Sequence, residues 1–405
     1  DASSFPKTLR LTIMSDISVY FRPVNTFELP AAPNPLYKRM GEVIDIHTAE
    51  GQFPDLENID IALIGVDEDR QAVSNEGCSV APDFVREYFY RLYPGDYPLR
   101  IADLGTIIRG HQVSDTYFAL STVIGHLIER KIVPVVIGGS QDLTYAVYKA
   151  FESLKRIINI AAVDNMFDLG EGEAEVNSRN YLSHIILHKP NYLFNYTNIG
   201  YQTYFVDQGA ITLMKNLFFD INRLGMARAN LPEIEPLVRN SDVLTFDISA
   251  VRQTDAPGNG NATPNGFYGE EACQIMRYAG LSEKLSAMGI FEVNPAFDRH
   301  GQTEHLVAQM IWYFIDGFYH RQDDFPSAES DDFIRYTVQL TNHEEGIIFY
   351  KSKKTERWWM EVRCTEDIRH KYLRHYIVPC TYGDYQTACS DDVPDRWWQA
   401  YQKLM

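Results

Sequence analysis

The sequence predicts an α/β protein built on a central, mostly parallel sheet, with a smaller α+β extension at its C-terminal end. Three observations predict it. Short apolar runs rich in β-branched residues alternate with longer segments whose apolar residues recur every three or four positions, the pattern of βαβ units. The short runs are apolar at nearly every residue, as strands buried on both faces are. After an acidic, polar joint at residues 320–332 the pattern changes, which marks a boundary.

In chain order, residues 1–56 are a lead-in segment with one apolar run (9–20) and a proline-rich stretch (30–37), expected to drape over the core. Residues 57–320 hold strand-like runs at 59–65, 99–104, 132–137, 157–163, 243–248 and 290–293. Between them lie helix-like segments at 115–130, 143–154, 269–288 and 303–318. Residues 333–405 carry three strand-like runs (334–340, 347–352 and 357–362), read as a three-stranded meander with 353–356 as its second turn. A closing helix is expected after Asp391 or Asp392, with Pro394 in its first turn.

Four of the five tryptophans, Trp358, Trp359, Trp397 and Trp398, lie in this extension. Neighbours on a strand point to opposite faces, so Trp358 and Trp359 cannot share one. One is expected to pack on the α/β core. The leftover aromatics either contact a second chain, tryptophan and tyrosine being favoured anchors, or are buried within this one.

Composition excludes several classes. The chain has 405 residues, 45% of them hydrophobic, and 37 basic against 55 acidic side chains give a net charge of −18. Such a surface repels phosphate backbones and anionic lipid, which argues against nucleic acid and membrane as partners. No stretch approaches the ~20 apolar residues of a membrane span. The five cysteines are scattered, without the close pairs of a zinc site, and read as the reduced thiols of a cytoplasmic protein.

Ligands of an open parallel sheet gather at the carboxyl ends of its strands. Four such ends carry candidate chemistry: GGSQD at 138–142, DNMFD at 164–168, FDIS at 246–249 leading to DAPG at 255–258, and EVNP at 292–295. Their order and spacing resemble the ureohydrolases, the family of arginases, agmatinases and formimidoylglutamases, where the first three read GGDHS, DAHxD and DxD. The similarity extends through NEGCSVAPDFVREY (75–88), IADLG (101–105) and EVNPAFDRHGQTEH (292–305), covering about residues 59–318.

The resemblance implies a three-layer αβα arginase-like fold and assembly into trimers or hexamers. It also implies two manganese ions that share a bridging hydroxide, which attacks a guanidinium or formimidoyl carbon. Two histidines and four aspartates would hold them. Matched residue by residue, the histidines fall on Gln141 and Met166, and one aspartate falls on Ser249. The first-metal positions become Gln141, Asp164, Asp168 and Asp247, still able to take one hard cation such as manganese, magnesium or calcium. The second-metal positions become Met166, Asp164, Asp247 and Ser249, and a thioether is a poor ligand for a hard ion. The expectation is therefore no divalent cation or one, and never a close manganese pair.

Each position also has a purely structural reading. Asp164, Asp168 and Asp247 can cap the helices that follow their strands, but without a metal three clustered carboxylates would raise one another's pKa and call for a cation. Arg252 is the candidate internal cation, or else a solvated loop arginine. Glu292 stands where the resemblance places a charge-assisted hydrogen bond to a cationic substrate, or is a buried glutamate paired with a backbone donor. His184 lies near where arginases place a loop histidine for proton transfer, yet Leu182, Ile185 and Ile186 suggest a packed element.

Three functions follow. The first is a ureohydrolase-fold protein without the dinuclear centre, acting through binding or assembly. The second is a working hydrolase of linear amidine or guanidine C–N bonds. The third is a structural scaffold.

Overall fold

The computed structural model describes residues 16–25, 36–170, 174–326, 331–341 and 346–404. Among them, ten strands form one sheet: β1 (Phe21–Arg22), β2 (Asp45–Ile46), β3 (Ile61–Val66), β4 (Ile101–Ile107), β5 (Val133–Ile137), β6 (Ile158–Val163), β7 (Leu193–Tyr201), β8 (Asp220–Arg223), β9 (Val243–Asp247) and β10 (Ala287–Phe291). Their order is β1-β4-β3-β5-β10-β9-β6-β7-β8, with β2 beside β4. Pairing is parallel throughout except for β1, which runs antiparallel to β4.

Helices cover both faces. On one side α1 (Ala81–Phe89), α6 (Leu224–Ala229), α7 (Glu235–Arg239), α8 (Gly269–Gly280) and α9 (Gln302–Tyr319) share a core with Ile61, Leu63, Val133 and Val135. On the other, α2 (Val113–Glu129), α3 (Leu143–Ser153), α4 (Tyr181–Leu187) and α5 (Gln208–Asn216) pack with Ala62, Ile64 and Val136. Successive residues of a strand feed opposite cores, which is why these strands are apolar at every position. Each fully buried Val, Leu, Ile or Phe contributes roughly 1.5–3 kcal/mol. The result is the three-layer αβα arrangement.

The lead-in segment adds β1 and β2 to the sheet through β4. Of its apolar run only residues from Asp16 are described, and of its proline-rich stretch only Leu36 and Tyr37; the rest lie outside the described residues. One expected helix is shorter than its periodicity suggests. The segment 269–288 is helical only to Gly280, and β10 begins at Ala287. There α8 meets α9 backbone to backbone: a Cβ on Gly280 would lie 2.1 Å from Phe314 O, and one on Gly317 2.4 Å from Arg277 O. Ser286 and Ala287 then bond Asp242 O and enter the sheet.

The extension is a four-stranded antiparallel sheet in the order β11 (Phe333–Val338), β12 (Ile347–Ser352), β13 (Trp358–Glu361) and β14 (Ile377–Cys380). The expected meander has three strands. The fourth escaped because Pro379 interrupts its run, but β14 is an edge strand, where a missing N–H is tolerated. Helices α10 (Glu366–Lys371), α11 (Tyr382–Cys389) and α12 (Asp395–Leu404) complete it. Trp359 is fully buried with the Arg239 guanidinium 4.3 Å from its ring, so it faces the α/β core. Trp358 points the other way and stacks on Tyr385 of α11 at 4.9 Å. Trp397 is buried and donates to Glu361 O at 3.0 Å, whereas Trp398 is 46% exposed. Among the described residues no helix is long and apolar enough to cross a membrane.

Candidate functional site

Four neighbouring strands at the centre of the sheet, β5, β10, β9 and β6, deliver the candidate residues at their carboxyl ends. After β5 the chain turns through Gly138 and Gly139, at φ +83° and +75°. A Cβ there would come 2.6 Å from Pro82 Cδ and 2.5 Å from Glu68 O, so only glycine allows the turn. It presents Gln141, whose amide nitrogen donates to Thr245 Oγ1 at 2.9 Å and to Tyr181 Oη at 3.5 Å.

Asp164 follows β6, Asp247 ends β9, and Asp168 sits in the loop beyond Asp164 at φ +50°. All three are buried. Asp164 Oδ1 accepts from Met166 N at 2.9 Å and Asp247 Oδ1 from Ser249 N at 2.7 Å. The capping reading is thus met in part. It leaves Asp164 Oδ2, both Asp168 oxygens, Gln141 Oε1 and Ser249 Oγ buried without a hydrogen-bond donor among the described residues.

Burial raises the pKa of Asp164, and the neighbouring Asp168 and Asp247 charges raise it further. Asp168 and Asp247 are raised by burial too, and Arg179 pulls both back. Arg179 is therefore the cation of the cluster. Its Nη1 stands 3.7 Å from Asp168 Oδ1 and touches Met166 Sδ. Arg252, expected in that role, is instead paired with Asp255 at 2.9 Å, its guanidinium 3.8 Å from the Tyr268 ring centroid.

Glu292 is buried at φ +66°. Its Oε1 accepts from Gln141 N at 2.8 Å and its Oε2 from Asn75 Nδ2 at 2.7 Å. Burial raises its pKa, Asp247 adds to that, and the Gln141 amide opposes it. Both oxygens are held from within the chain, as the buried-glutamate reading describes. His184, on α4, lies edge-on to Tyr145 with ring centroids 6.1 Å apart, and its Nε2 is buried without a hydrogen-bond partner among the described residues.

Asn75, Thr245, Tyr181 and Arg179 were not singled out from sequence. For Arg179 a signal existed: it lies in the same excursion after β6 as Asp164 and Asp168, where clustered carboxylates call for a cation. As donors, the three aspartates and Gln141 Oε1 are hard oxygens, whereas Met166 offers a thioether. Among the described residues no three His, Cys, Asp or Glu side chains are grouped so as to hold a metal ion.

The sequence model of the Arginase family matches residues 59–316. Formimidoylglutamase of Staphylococcus haemolyticus is 22% identical over 294 residues, covering 66% of this chain and 92% of the relative. That of Bacillus subtilis is 23% identical over 288 residues, covering 63% and 86%. Among solved structures, Trypanosoma cruzi formiminoglutamase with Mn2+ superposes with a TM-score of 0.63 at 18% identity, over 71% of this chain and 100% of that one. Formimidoylglutamase of Bacillus subtilis superposes at 0.64 and 19% identity, over 72% and 95%. An arginase from Medicago truncatula gives 0.55 at 17%, over 64% and 88%. With the four site strands inside the matched segment and the three layers shared with these structures, the chain belongs to the arginase family.

Proposed function

We propose that this chain has lost the dinuclear manganese chemistry of its family and acts as a binding or assembly protein. The observation that carries the reading is the donor set. Residues 141, 166 and 249, which the motif resemblance matches to metal ligands, are Gln, Met and Ser, and a guanidinium stands against the thioether. A thioether beside a cation does not fit a second hard ion, and without that ion a bridging water is neither pinned nor acidified. By donor chemistry alone the residues allow at most one divalent cation, for which Gln141, Asp164, Asp168 and Asp247 would supply only oxygens, although among the described residues the aspartates are not grouped as a ready-made metal site.

The test is metal analysis of protein supplied with manganese, beside turnover of arginine, agmatine and formimidoylglutamate. Zero or one ion per chain and no turnover are expected. Two stoichiometric manganese ions with turnover would overturn the reading. One specific observation favours a second reading, a hydrolase working with one cation: the unpaired oxygens of Gln141, Asp164 and Asp168. One ion with turnover is its signature.

The carboxylate cluster is anionic, so the ligand class it would attract is a guanidinium, amidine or amine. We assign the protein to the cytoplasm and to a homo-oligomer, or to a protein partner engaged through the extension. Exposed Trp398, stacked on Tyr401 at 5.9 Å, is the proposed anchor. Trp398→Ser should lower the mass seen by light scattering; an unchanged mass removes it from the interface.

A further inference from the structure

The segment that carries Arg179 is fastened on every side. Ser178 N donates to Gln71 O at 3.0 Å, and Ser178 Oγ accepts from Val73 N at 3.0 Å. Arg179 N donates to Asn177 Oδ1 at 2.9 Å, and Arg179 O accepts from Gly170 N at 2.9 Å. The side chain of Asn180, itself buried, ties Asn177 N at 2.7 Å and Glu175 O at 2.9 Å. The backbone on both sides of Arg179 is therefore fixed before its side chain makes any contact.

That side chain is 26% exposed and aimed inward, with its guanidinium against Met166 Sδ and 3.7 Å from Asp168. Its charge is felt by Asp168, Asp247, Asp164 and Glu292. At 3.7 Å the link to Asp168 is a charge pair and not a close hydrogen bond, which leaves the Asp168 oxygens without a donor among the described residues. Four buried carboxyl groups thus surround one fixed positive charge. A solvated arginine on a loose loop would show neither the fastening nor the thioether contact.

We infer that Arg179 is a tethered guanidinium that takes the place of the missing second cation, a group like the ligands the carboxylate cluster would otherwise attract. This rests on the loss of the dinuclear centre proposed above. A guanidinium is planar, always charged and weakly hydrated, so it can sit beside both a thioether and carboxylates, as a hydrated divalent ion cannot. Met166 and Arg179 then act as one paired replacement: the sulfur that is a poor ligand for a hard ion is the surface on which the guanidinium rests.

The experiment uses the full chain as wild type, Arg179→Ala, Arg179→Lys and the double variant Asp168→Asn/Arg179→Ala, with melting temperature as readout. Arg179→Ala should melt several degrees lower. Millimolar guanidinium chloride should raise its melting temperature saturably above that in equal sodium chloride, with no such rise in wild type. Arg179→Lys should fall between the two, and adding Asp168→Asn should recover most of the loss by removing a charge that needs compensation. An Arg179→Ala protein that melts like wild type and ignores guanidinium overturns the inference. So does a loss that neither guanidinium nor Asp168→Asn repairs. Where Arg179→Ala does not fold, recovery of a folded double variant supports the inference and its absence overturns it. Two manganese ions on the wild type would instead sink the functional reading, which these melting curves do not measure.

Discussion

Strand β9 is bounded by two buried aspartates, and the fold treats them in opposite ways. Asp242 stands just before the strand and Asp247 ends it. Around Asp242, cations are in excess. Its Oδ2 accepts from Asn159 N at 2.9 Å, while Oδ1 faces Arg156 at 3.2 Å and Arg374 at 2.7 Å. Half-buried Lys284 stands beside it, donating to Asn240 Oδ1 at 3.0 Å and Arg374 O at 3.1 Å. Burial alone would raise the Asp242 pKa, but Lys284, Arg374, His375 and Arg156 more than reverse this and hold it below the usual range. Around Asp247 carboxylates are in excess, and the pKa is raised. Four residues of one strand separate a charge that is locked from a charge that is crowded.

The difference separates structure from function. Arg374 and His375 belong to the extension, so the Asp242 cluster is a joint that fixes the extension to the base of the sheet. His375 adds a stack on Phe194 with ring centroids 4.4 Å apart, and Arg239 reaches across to Trp358 O at 3.2 Å. A joint satisfies its carboxylate. Among the described residues the Asp247 cluster leaves oxygens unsatisfied where α/β proteins place their ligands, which makes it the candidate site.

The largest expected effect is at the joint. Asp242→Ala leaves the half-buried Lys284, Arg156 and Arg374 without their common buried anion, and should cost about 3 kcal/mol in urea unfolding, the low end for a broken buried pair. A loss near zero would mean that the extension is not held by this charge.

The next effect is in acid. Burial, then Lys284, push His375 down to about 3, against an ordinary value of 6.5. The unfolded chain takes up this proton as pH falls through 6.5, while the folded chain resists until about 3. Stability contributed at neutral pH is therefore lost across that window, by more than about 1 kcal/mol per pH unit. His375→Phe keeps the stack on Phe194 and removes the titration. Compared at pH 7 and pH 4.5, the variant should lose less stability than wild type; an equal loss would place the acid sensitivity elsewhere.

The contrast also explains what could be read from sequence. The sheet, its two helical layers and the central strand ends were legible because parallel strands buried on both faces are continuous apolar runs, and the site motifs sit where those runs stop. The joint was not legible. Asp242, Lys284 and His375 lie far apart in sequence, and nothing in the local pattern at any of them signals the other two. Arg179 was missed for a related reason: a long side chain reaches its partners by the route its loop takes, here fixed by hydrogen bonds to Gln71 and Val73 a hundred residues upstream. The tryptophan pair shows the opposite case, since strand alternation alone separates Trp358 from Trp359.

The smallest expected effect is the sharpest test of the comparison. Asp247→Asn removes one negative charge from a cluster whose carboxylates outnumber Arg179, and it keeps the oxygen that accepts from Ser249 N at 2.7 Å. The gain is relief of the repulsion by which Asp247 raises the Asp164 pKa. Lost attraction to Arg179 opposes this gain. Because Asp164, Asp168 and Glu292 still surround that guanidinium, one fewer carboxylate leaves it compensated. The expected change is neutral to stabilising, within about 1 kcal/mol, where an ordinary buried aspartate paired with a cation would cost several on replacement. Measured beside Asp242→Ala in the same urea series, opposite signs at the two ends of β9 would confirm that one aspartate is anchored and the other crowded. A loss at Asp247 as large as that at Asp242 would mean that its charge is fully paired, and the cluster would then be a second structural joint.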